Sequence, residues 1–378
     1  MLAVSLYVYA FLSEFILIYP VYALLFTDTG ISVAEVSSLF VIWSVTGMVL
    51  EVPSGAWADA VSRRLLLVLG PLLSGAGFAL WVLFPSYWVF AAGFVLWGAG
   101  ESLVSGAYEA LAYEEMERRG QSGGYARVMG RATALGLAGS AAAIGLASPV
   151  FAAGGYPAVG VASVLACVLC AATALTLPEH RARGGAGQWS YLATLREGIG
   201  LARADRGVLR AVLLVAFVTA IWGALEEYVP FLGAETGVAR ATIPLLILLV
   251  WVGATAGGLL AGPAERLRSR GYAALLGLAA LAMAVGALSG HPAGFVAIAL
   301  AVGAFQLAQV LADVRLQERI TGPARATVTS VAGLGTNVVT LGAYTAYGTA
   351  SASLPHGVTF ALLALPYLVI ALIPLAAR

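Results

Sequence analysis

Carboxylates within otherwise apolar stretches are the residues of this sequence best able to do chemistry. The acidic residues that interrupt such stretches are Glu14, Glu51, Glu101, Glu109, Glu226, Glu227 and Asp313. An acidic side chain at the centre of a membrane costs about 2.5–3.5 kcal/mol. Four of them facing lipid would cost about 12 kcal/mol, comparable with the stability of a whole domain. We therefore expect these carboxylates to face protein or a watery cavity.

Aromatic and amide side chains recur at helical spacing beside these acids. Trp97 stands four residues before Glu101, and Trp222 stands four residues before Glu226, so each pair shares one helix face. An aromatic face beside a carboxylate suits an organic cation. The candidate residues for binding substrate or protons are Glu14, Trp97, Glu101, Tyr108, Glu109, Trp222, Glu226, Glu227, Gln306, Gln309 and Asp313. Any single aromatic residue is better explained by helix packing or by a place at the membrane interface.

Basic side chains are missing from the middle of the apolar stretches. The histidines lie in loops or at the ends of these stretches. An anionic substrate would meet carboxylates without a compensating charge. We therefore expect a cationic, zwitterionic or neutral amphiphilic small molecule. A carboxylate in such a place can hold either a proton or a cationic substrate, which is the simplest basis for antiport. Under this hypothesis Glu14 or Glu101 takes up a proton when the substrate leaves. Adjacent Glu226 and Glu227 cannot share a helix face, so the sequence leaves open which of them faces a cavity.

Composition places the chain in a membrane. Hydrophobic residues make up 61% of it and charged residues 10%, with a mean hydropathy of +0.92, whereas soluble domains carry about 25% charged residues. A net charge of +1 and the lack of a basic, aromatic-rich stretch do not indicate a nucleic-acid partner. No metal-ligand cluster, nucleophile motif or phosphate loop is present, so we expect no enzyme activity, no cofactor and no metal. Cys167 and Cys170 are expected to pack as small apolar residues.

Twelve apolar runs are long enough to cross a bilayer, which takes about 20 residues. They are Leu2–Phe26, Val33–Pro53, Leu65–Phe84, Trp88–Ala112, Tyr125–Phe151, Pro157–Leu177, Val208–Leu232, Thr242–Ala261, Tyr272–Ser289, Ala293–Val314, Ala326–Thr349 and Val358–Leu375. The connections are short except for the stretch between the sixth and seventh runs, which contains an amphipathic segment at Trp189–Ala204. We expect two bundles, residues 1–178 and 207–378, joined by a linker at 179–206.

Arginine placement predicts the orientation of these spans. With the N-terminus inside, every loop rich in arginine falls on the inner side, and only Arg240 falls outside. This asymmetry is the one that the positive-inside rule describes. We expect a multi-pass protein of the cytoplasmic membrane with both termini in the cytoplasm.

The two halves of the chain repeat a short pattern at the same place. The loop after the second span carries Gly55, Asp59 and Arg64, and the loop after the eighth span carries Glu265 and Arg270. Each acid is followed by an arginine five residues later. Transporters are often built from repeated halves, with the solute site between them at mid-depth.

Six spans on each side of a central loop, together with this motif, resemble the major facilitator superfamily. The family's loop between spans 2 and 3 reads Gly-x-x-x-Asp-x-x-Gly-Arg-(Lys/Arg). Gly55, Asp59, Arg63 and Arg64 match it, and Ser62 stands where the family has glycine. The resemblance implies an all-α membrane fold of twelve helices in two pseudo-symmetric six-helix bundles, which rock to give alternating access. It also implies that spans 1, 4, 7 and 10 line the cavity, which is where the acids at mid-depth cluster.

In the family, this loop forms charge contacts that hold the outward-facing state. The residues that the resemblance assigns to gating, with nearby arginines of span 5, are Gly55, Asp59, Arg63, Arg64, Arg127 and Arg131. We expect Asp59 to pair with Arg64 or Arg127; ordinary topogenic arginines and a helix cap are the alternative. Ser102 stands near the position where the proton-antiporter branch of the family often carries arginine. Because of this departure, the family motifs do not establish proton-driven drug export.

We therefore predict a monomeric secondary transporter, with proton-coupled export of organic cations or drug-like amphiphiles as the leading interpretation. An importer of a nutrient or vitamin, driven by protons or another gradient, is the alternative. A membrane receptor that transports nothing is a remote one.

Overall fold

The computed structural model describes residues 2–180, 199–200, 205–264, 267–320 and 325–376, without the side chains of residues 52–60, 325–326 and 373–376. All regular structure in these ranges is helical, as the sequence predicts, and they contain no strand. The chain forms two compact units, Met1–Gln188 and Trp189–Arg378. The boundary between the two units falls within residues 179–206, the stretch predicted to be the linker. The amphipathic segment predicted there lies almost wholly outside the described residues.

The helices of the first unit alternate with short connections. They are α1 (Leu2–Glu14), α2 (Tyr22–Asp28), α3 (Val33–Ala60), α4 (Arg63–Leu83), α5 (Tyr87–Arg118) and α6 (Tyr125–Leu175). α6 is bent at Gly154 and Gly155, and Gly155 has φ of +61°, a conformation that favours glycine. Pro149 and Pro157 flank the bend. α6 therefore contains both the fifth and the sixth predicted spans.

The second unit repeats this arrangement with more short helices. They are α7 (Arg206–Glu226), α8 (Val229–Glu235), α9 (Ile243–Leu259), α10 (Ala261–Ala264), α11 (Ser269–Leu288), α12 (Gly294–Arg319), α13 (Arg325–Ala350) and α14 (His356–Ala376). Asp205 caps α7, since its Oδ1 accepts the amide of Gly207 at 2.6 Å. An acidic side chain at this position also complements the positive end of the helix dipole.

Every predicted span coincides with a helix, a part of α6 or a pair of consecutive helices. Eight helices of the described chain are long and apolar enough to cross a membrane, and one of these eight is α6 with the turn before it. Two of the predicted spans contain an interruption, between Glu14 and Tyr22 in the first and between Glu226 and Val229 in the seventh. Pro20 lies in the first interruption, where the Ser163 hydroxyl accepts the Ile18 amide at 2.9 Å, and Pro230 follows the second.

Glycines allow helix backbones to approach closely within each unit, as is common in membrane bundles. A Cβ atom added at Gly70 would lie 2.8 Å from the carbonyl oxygen of Gly100, across α4 and α5. Between α9 and α12, a Cβ atom added at Gly257 would collide with the carbonyl oxygen of Gly303. By contrast, a Cβ atom at Gly277 of α11 meets nothing within 4 Å.

We predict that Gly257→Ala lowers the free energy of unfolding by about 1–3 kcal/mol, because the new methyl group forces α9 and α12 apart. Gly277→Ala is the matched control, and its better helix propensity is expected to stabilise by about 0.5–1 kcal/mol. Thermal unfolding in detergent, followed by tryptophan fluorescence, compares the two variants. Equal melting temperatures would contradict the packing of α9 on α12.

Candidate functional site

The first unit brings two tryptophans and a glutamate together. The indole of Trp43, on α3, stacks on Trp97 of α5 with ring centroids 5.0 Å apart and planes at 23°. Its Nε1 donates a hydrogen bond to Glu101 Oε2 at 3.1 Å. The predicted pairing of Trp97 with Glu101 therefore has Trp43 as a third member. The sequence analysis missed Trp43 because this residue lies on α3, whereas Trp97 and Glu101 lie on α5. Its position in the middle of a predicted span was the one feature of the sequence that could have indicated a role.

Aromatic rings surround Trp97 and hold it in place. Its ring centroid lies 5.3 Å from that of Phe78, 6.0 Å from that of Phe94 and 6.0 Å from that of Tyr22. Trp97 is only 8% exposed, whereas Glu101 is exposed. The site thus combines a rigid aromatic wall with an accessible carboxylate.

Glu14 is the last residue of α1 and lies against the first part of α6. The Ser140 hydroxyl donates to Glu14 Oε2 at 3.2 Å. Glycine permits this approach, because a Cβ atom at Gly136 would lie 3.3 Å from Glu14 Cγ. Within the described residues, Glu14 forms no ion pair with a basic side chain. Its one polar contact is with a neutral group, which leaves its charge uncompensated.

Tyr108 and Glu109 follow on α5. The Tyr108 hydroxyl donates to the Leu6 carbonyl at 2.8 Å, and its ring stacks on Tyr9 with centroids 5.4 Å apart. These contacts hold α5 against α1. Glu109 is exposed and lies near the phenol of Tyr125. A binding role for Tyr108 and Glu109 stays a prediction.

The second unit places its acid pair where α7 ends. Glu226 is half-buried, whereas Glu227 is 8% exposed and Trp222, one turn earlier, is 7% exposed. The Trp251 indole of α9 lies beside the Glu226 carboxylate, and its buried Nε1 forms no hydrogen bond of ordinary geometry with the described residues. Each unit thus sets a tryptophan of its second span beside a glutamate. Trp251, like Trp43, was missed from the sequence.

Gln306, Gln309 and Asp313 lie at helical spacing along α12. Both glutamines are half-buried, and Asp313 is exposed. A Cβ atom at Gly258 of α9 would lie 3.9 Å from Gln306 Cγ. Neither glutamine amide forms a hydrogen bond with the part of the chain that the structure describes. Both amides are therefore available to a ligand.

The loop between α3 and α4 is held by carboxylates that sequence reasoning did not single out. Arg63 forms an ion pair with Glu114 of α5. The Glu179 carboxylate accepts hydrogen bonds from the Ser62 hydroxyl at 2.5 Å and from the Arg63 amide at 2.6 Å. The start of the central linker is therefore fastened to the first turn of α4. Since Glu179 is distant in sequence, only the fold reveals this contact.

The other gating predictions are less well covered by the structure. The Asp59 side chain lies outside what it describes, so the expected pairing of Asp59 stays a prediction, and so does the gating role of Gly55. Arg64 donates to a main-chain carbonyl at 3.5 Å. Arg127 and Arg131 are exposed and form no ion pair within the described residues.

Neither a metal site nor a disulfide accompanies these groups. In the residues that the structure covers, no three histidine, cysteine or acidic side chains are placed to hold a metal ion. Cys167 and Cys170 are buried with free thiols. The Cys170 Sγ lies 3.7 Å from the Tyr9 carbonyl, to which it donates.

We predict that Glu179→Ala lowers the free energy of unfolding by about 1–3 kcal/mol, because it leaves the Ser62 hydroxyl and the Arg63 amide without their acceptor. Glu117→Ala is the control, since Glu117 is exposed at the end of α5. Melting temperatures in detergent provide the comparison. A Glu179 variant as stable as the Glu117 variant would show that the linker is not fastened in this way.

Comparisons with known proteins agree on the fold. The sequence model described as Major Facilitator Superfamily matches residues 3–263. The crystal structure of a bacterial homologue of the human lysosomal transporter Spinster is 16% identical, with a TM-score of 0.74 over 98% of this chain and 94% of that chain. The nucleoside transporter NupG is 12% identical, with a TM-score of 0.76 over 99% of this chain and 98% of that chain. A search of curated proteins gives no match. At these identities the structural likeness shows the fold alone.

Proposed function

The chain belongs to the major facilitator superfamily of membrane transporters, and on that premise we propose that it exports organic cations or drug-like amphiphiles in exchange for protons. It works by alternating access as a monomer in the cytoplasmic membrane, with both termini inside the cell. The substrate binds in the first unit, at the side chains of Trp43, Trp97 and Glu101.

The arrangement of Trp43, Trp97 and Glu101 carries this proposal. The half-buried Trp43 indole attracts a cation through its ring quadrupole, an interaction worth about 0.5–2 kcal/mol. The adjacent carboxylate adds charge attraction without requiring the ligand to donate a hydrogen bond. Aromatic contacts hold Trp97 in position, so little conformational entropy is lost when a flat or bulky cation binds. An anion would be repelled by the same carboxylate.

Unpaired carboxylates support coupling to protons. Neither Glu14 nor Glu226 forms an ion pair with a basic side chain among the described residues. A carboxylate without such a partner can be neutralised by a proton or by a cationic ligand. If both ligands neutralise the same carboxylates, each displaces the other, and an inward proton gradient drives export. Import of a nutrient by the same fold is the alternative that a transport assay in oriented vesicles distinguishes.

We predict that tetraphenylphosphonium stabilises the purified protein, by about 2.7 kcal/mol at 100 times its dissociation constant. Stabilisation at a fixed ligand concentration is expected to be larger at pH 7.5 than at pH 5.5, because protons compete for the carboxylates. Melting curves in detergent at the two pH values measure both effects. Stabilisation by benzoate alone would contradict a cation site.

Single substitutions locate the site. Trp97→Ala and Glu101→Gln are each expected to weaken tetraphenylphosphonium binding by roughly tenfold, which corresponds to about 1.4 kcal/mol. Trp88→Ala and Glu117→Gln are the matched controls, since Trp88 is 78% exposed and Glu117 is exposed. Titration calorimetry in detergent measures the affinities. Equal affinities in the site and control variants would place the ligand elsewhere.

A further inference from the structure

In each unit, an acidic side chain at the end of a short helix holds the beginning of the unit's last span. In the first unit, Asp28 ends α2, and its Oδ2 accepts the Tyr156 hydroxyl of α6 at 2.5 Å. In the second unit, Glu235 ends α8, and its carboxylate accepts the His356 amide at 2.7 Å and the Gly357 amide at 3.0 Å. Both contacts lie at the helix ends that the arginine distribution predicts to face outward. The two fastenings differ in the residue that is held.

The fastening of the second unit contains an imidazole. The Nδ1 atom of His356 lies 2.8 Å from the hydroxyl oxygen of Tyr347, on α13. The imidazole also stacks on Phe231 of α8, with ring centroids 5.3 Å apart and planes at 18°. Tyr347 is fully buried and stacks in turn on Tyr228, with centroids 3.5 Å apart. His356 therefore joins the start of α14 to both α8 and α13.

The hydrogen bond with Tyr347 requires a neutral imidazole. Among the described residues, the Tyr347 hydroxyl has no other hydrogen-bond partner, and a buried hydroxyl proton without an acceptor is costly. The phenol therefore donates to Nδ1 of His356, and the proton of the neutral ring lies on Nε2. A second proton would occupy Nδ1. The Tyr347 hydroxyl would then have to accept, and its own proton would be left buried without a partner.

The charges around His356 do not cancel this effect. Glu235 is the charged side chain that acts on the imidazole. It is exposed, and both of its oxygens already accept backbone amides, so its attraction for a charged ring is screened. α11 contributes Ala287 and Leu288 beside Gly357. The other titratable or charged groups on the surrounding segments are Tyr228, Tyr344, Tyr347, Arg240 and His291.

We propose that Glu235, His356 and Tyr347 form a pH-sensitive latch on the outer side of the second unit. While His356 is neutral, the latch fastens the start of α14 to α8 and α13. When the outer solution becomes acidic, His356 takes up a proton and leaves the aromatic cluster, and the start of α14 is released. Imidazole is the side chain whose charge ordinarily changes between about pH 5 and 8. The latch goes beyond the proposed function, since it involves neither Glu101 nor a substrate.

The fastening of the first unit is an internal reference. It joins the Tyr156 phenol to the Asp28 carboxylate. Ordinary carboxyl groups and phenols titrate outside the range from about pH 5.5 to 7.5. A change of pH within that range is therefore expected to leave this contact closed.

Hydrogen–deuterium exchange of the full-length protein in detergent, followed by mass spectrometry, tests the latch. Labelling times at pH 7.5 and pH 5.5 are corrected for the intrinsic pH dependence of amide exchange. A contact linked to one proton changes its open fraction by up to about tenfold for each pH unit. We expect residues 229–237 and 354–360 to exchange about tenfold faster at pH 5.5 than at pH 7.5. Residues 24–31 and 152–160 are expected to exchange equally at both.

His356→Asn removes the ionisable ring and keeps an acceptor for the Tyr347 hydroxyl, so we expect it to abolish the pH response. His291→Asn is the matched control, since His291 is exposed in the loop before α12, and we expect it to keep the response. A response that persists in His356→Asn would overturn the latch. Slower exchange at pH 5.5 in the unchanged protein would overturn it too, because Glu235 would then hold the charged ring in place.

Tyr347→Phe is a second test, which keeps the imidazole and applies if His356→Asn does not fold. It removes the hydroxyl that favours the neutral ring. We expect the pH response of residues 354–360 to fall from about tenfold to below about threefold. A response as large as that of the unchanged protein would show that the Tyr347 hydroxyl does not set the charge of His356, and would overturn the latch. Because these measurements use no substrate, either outcome leaves the proposed function to its own tests.

Discussion

A carboxylate in hydrocarbon needs a partner or an aqueous path, and the placement of the acidic side chains in both units follows from that constraint. The cost of several kcal/mol for each exposed charge is a large fraction of the stability of a domain. In the first unit, Glu101 is met by the Trp43 indole and Glu14 by the Ser140 hydroxyl. Both donors are neutral, and among the described residues Glu14 forms no ion pair with a basic side chain. In the proposed mechanism, a carboxylate in this condition can bind and release a cation.

Backbone groups in the membrane are subject to the same constraint, since unsatisfied amides and carbonyls are costly in lipid. The break after Glu14 is tolerated because the Ser163 hydroxyl accepts the Ile18 amide, and within α7 the Tyr367 hydroxyl accepts the Trp222 amide. Gly136 allows α6 to lie close to the end of α1. Helix packing, helix interruption and carboxylate placement are thus consequences of one requirement.

Much of this fold can be predicted from the sequence, because the need to satisfy polar groups within the membrane determines where apolar and acidic residues occur along the chain. Apolar runs give the spans, and tryptophans at helical spacing from glutamates give one face of α5 and of α7. The sequence does not predict the helix breaks. Hydropathy is averaged along a span, so it does not respond to Pro20 or Pro230 and does not report backbone hydrogen bonding. The sequence analysis also misses Trp43, Trp251 and Glu179, whose partners lie on other helices or in the linker. Contacts between distant segments follow from packing, which no pattern along one helix contains.

The exchange of a cationic substrate for protons at shared carboxylates is the central claim, and proton release on binding tests it most directly. Tetraphenylphosphonium is added to the purified protein in weakly buffered detergent solution near pH 6.5, and a pH-sensitive dye follows the proton concentration. We expect protons to be released in proportion to the ligand bound, with the signal absent when benzoate replaces tetraphenylphosphonium. Saturable binding with no proton released, at this pH and one unit on either side, would contradict exchange at shared carboxylates.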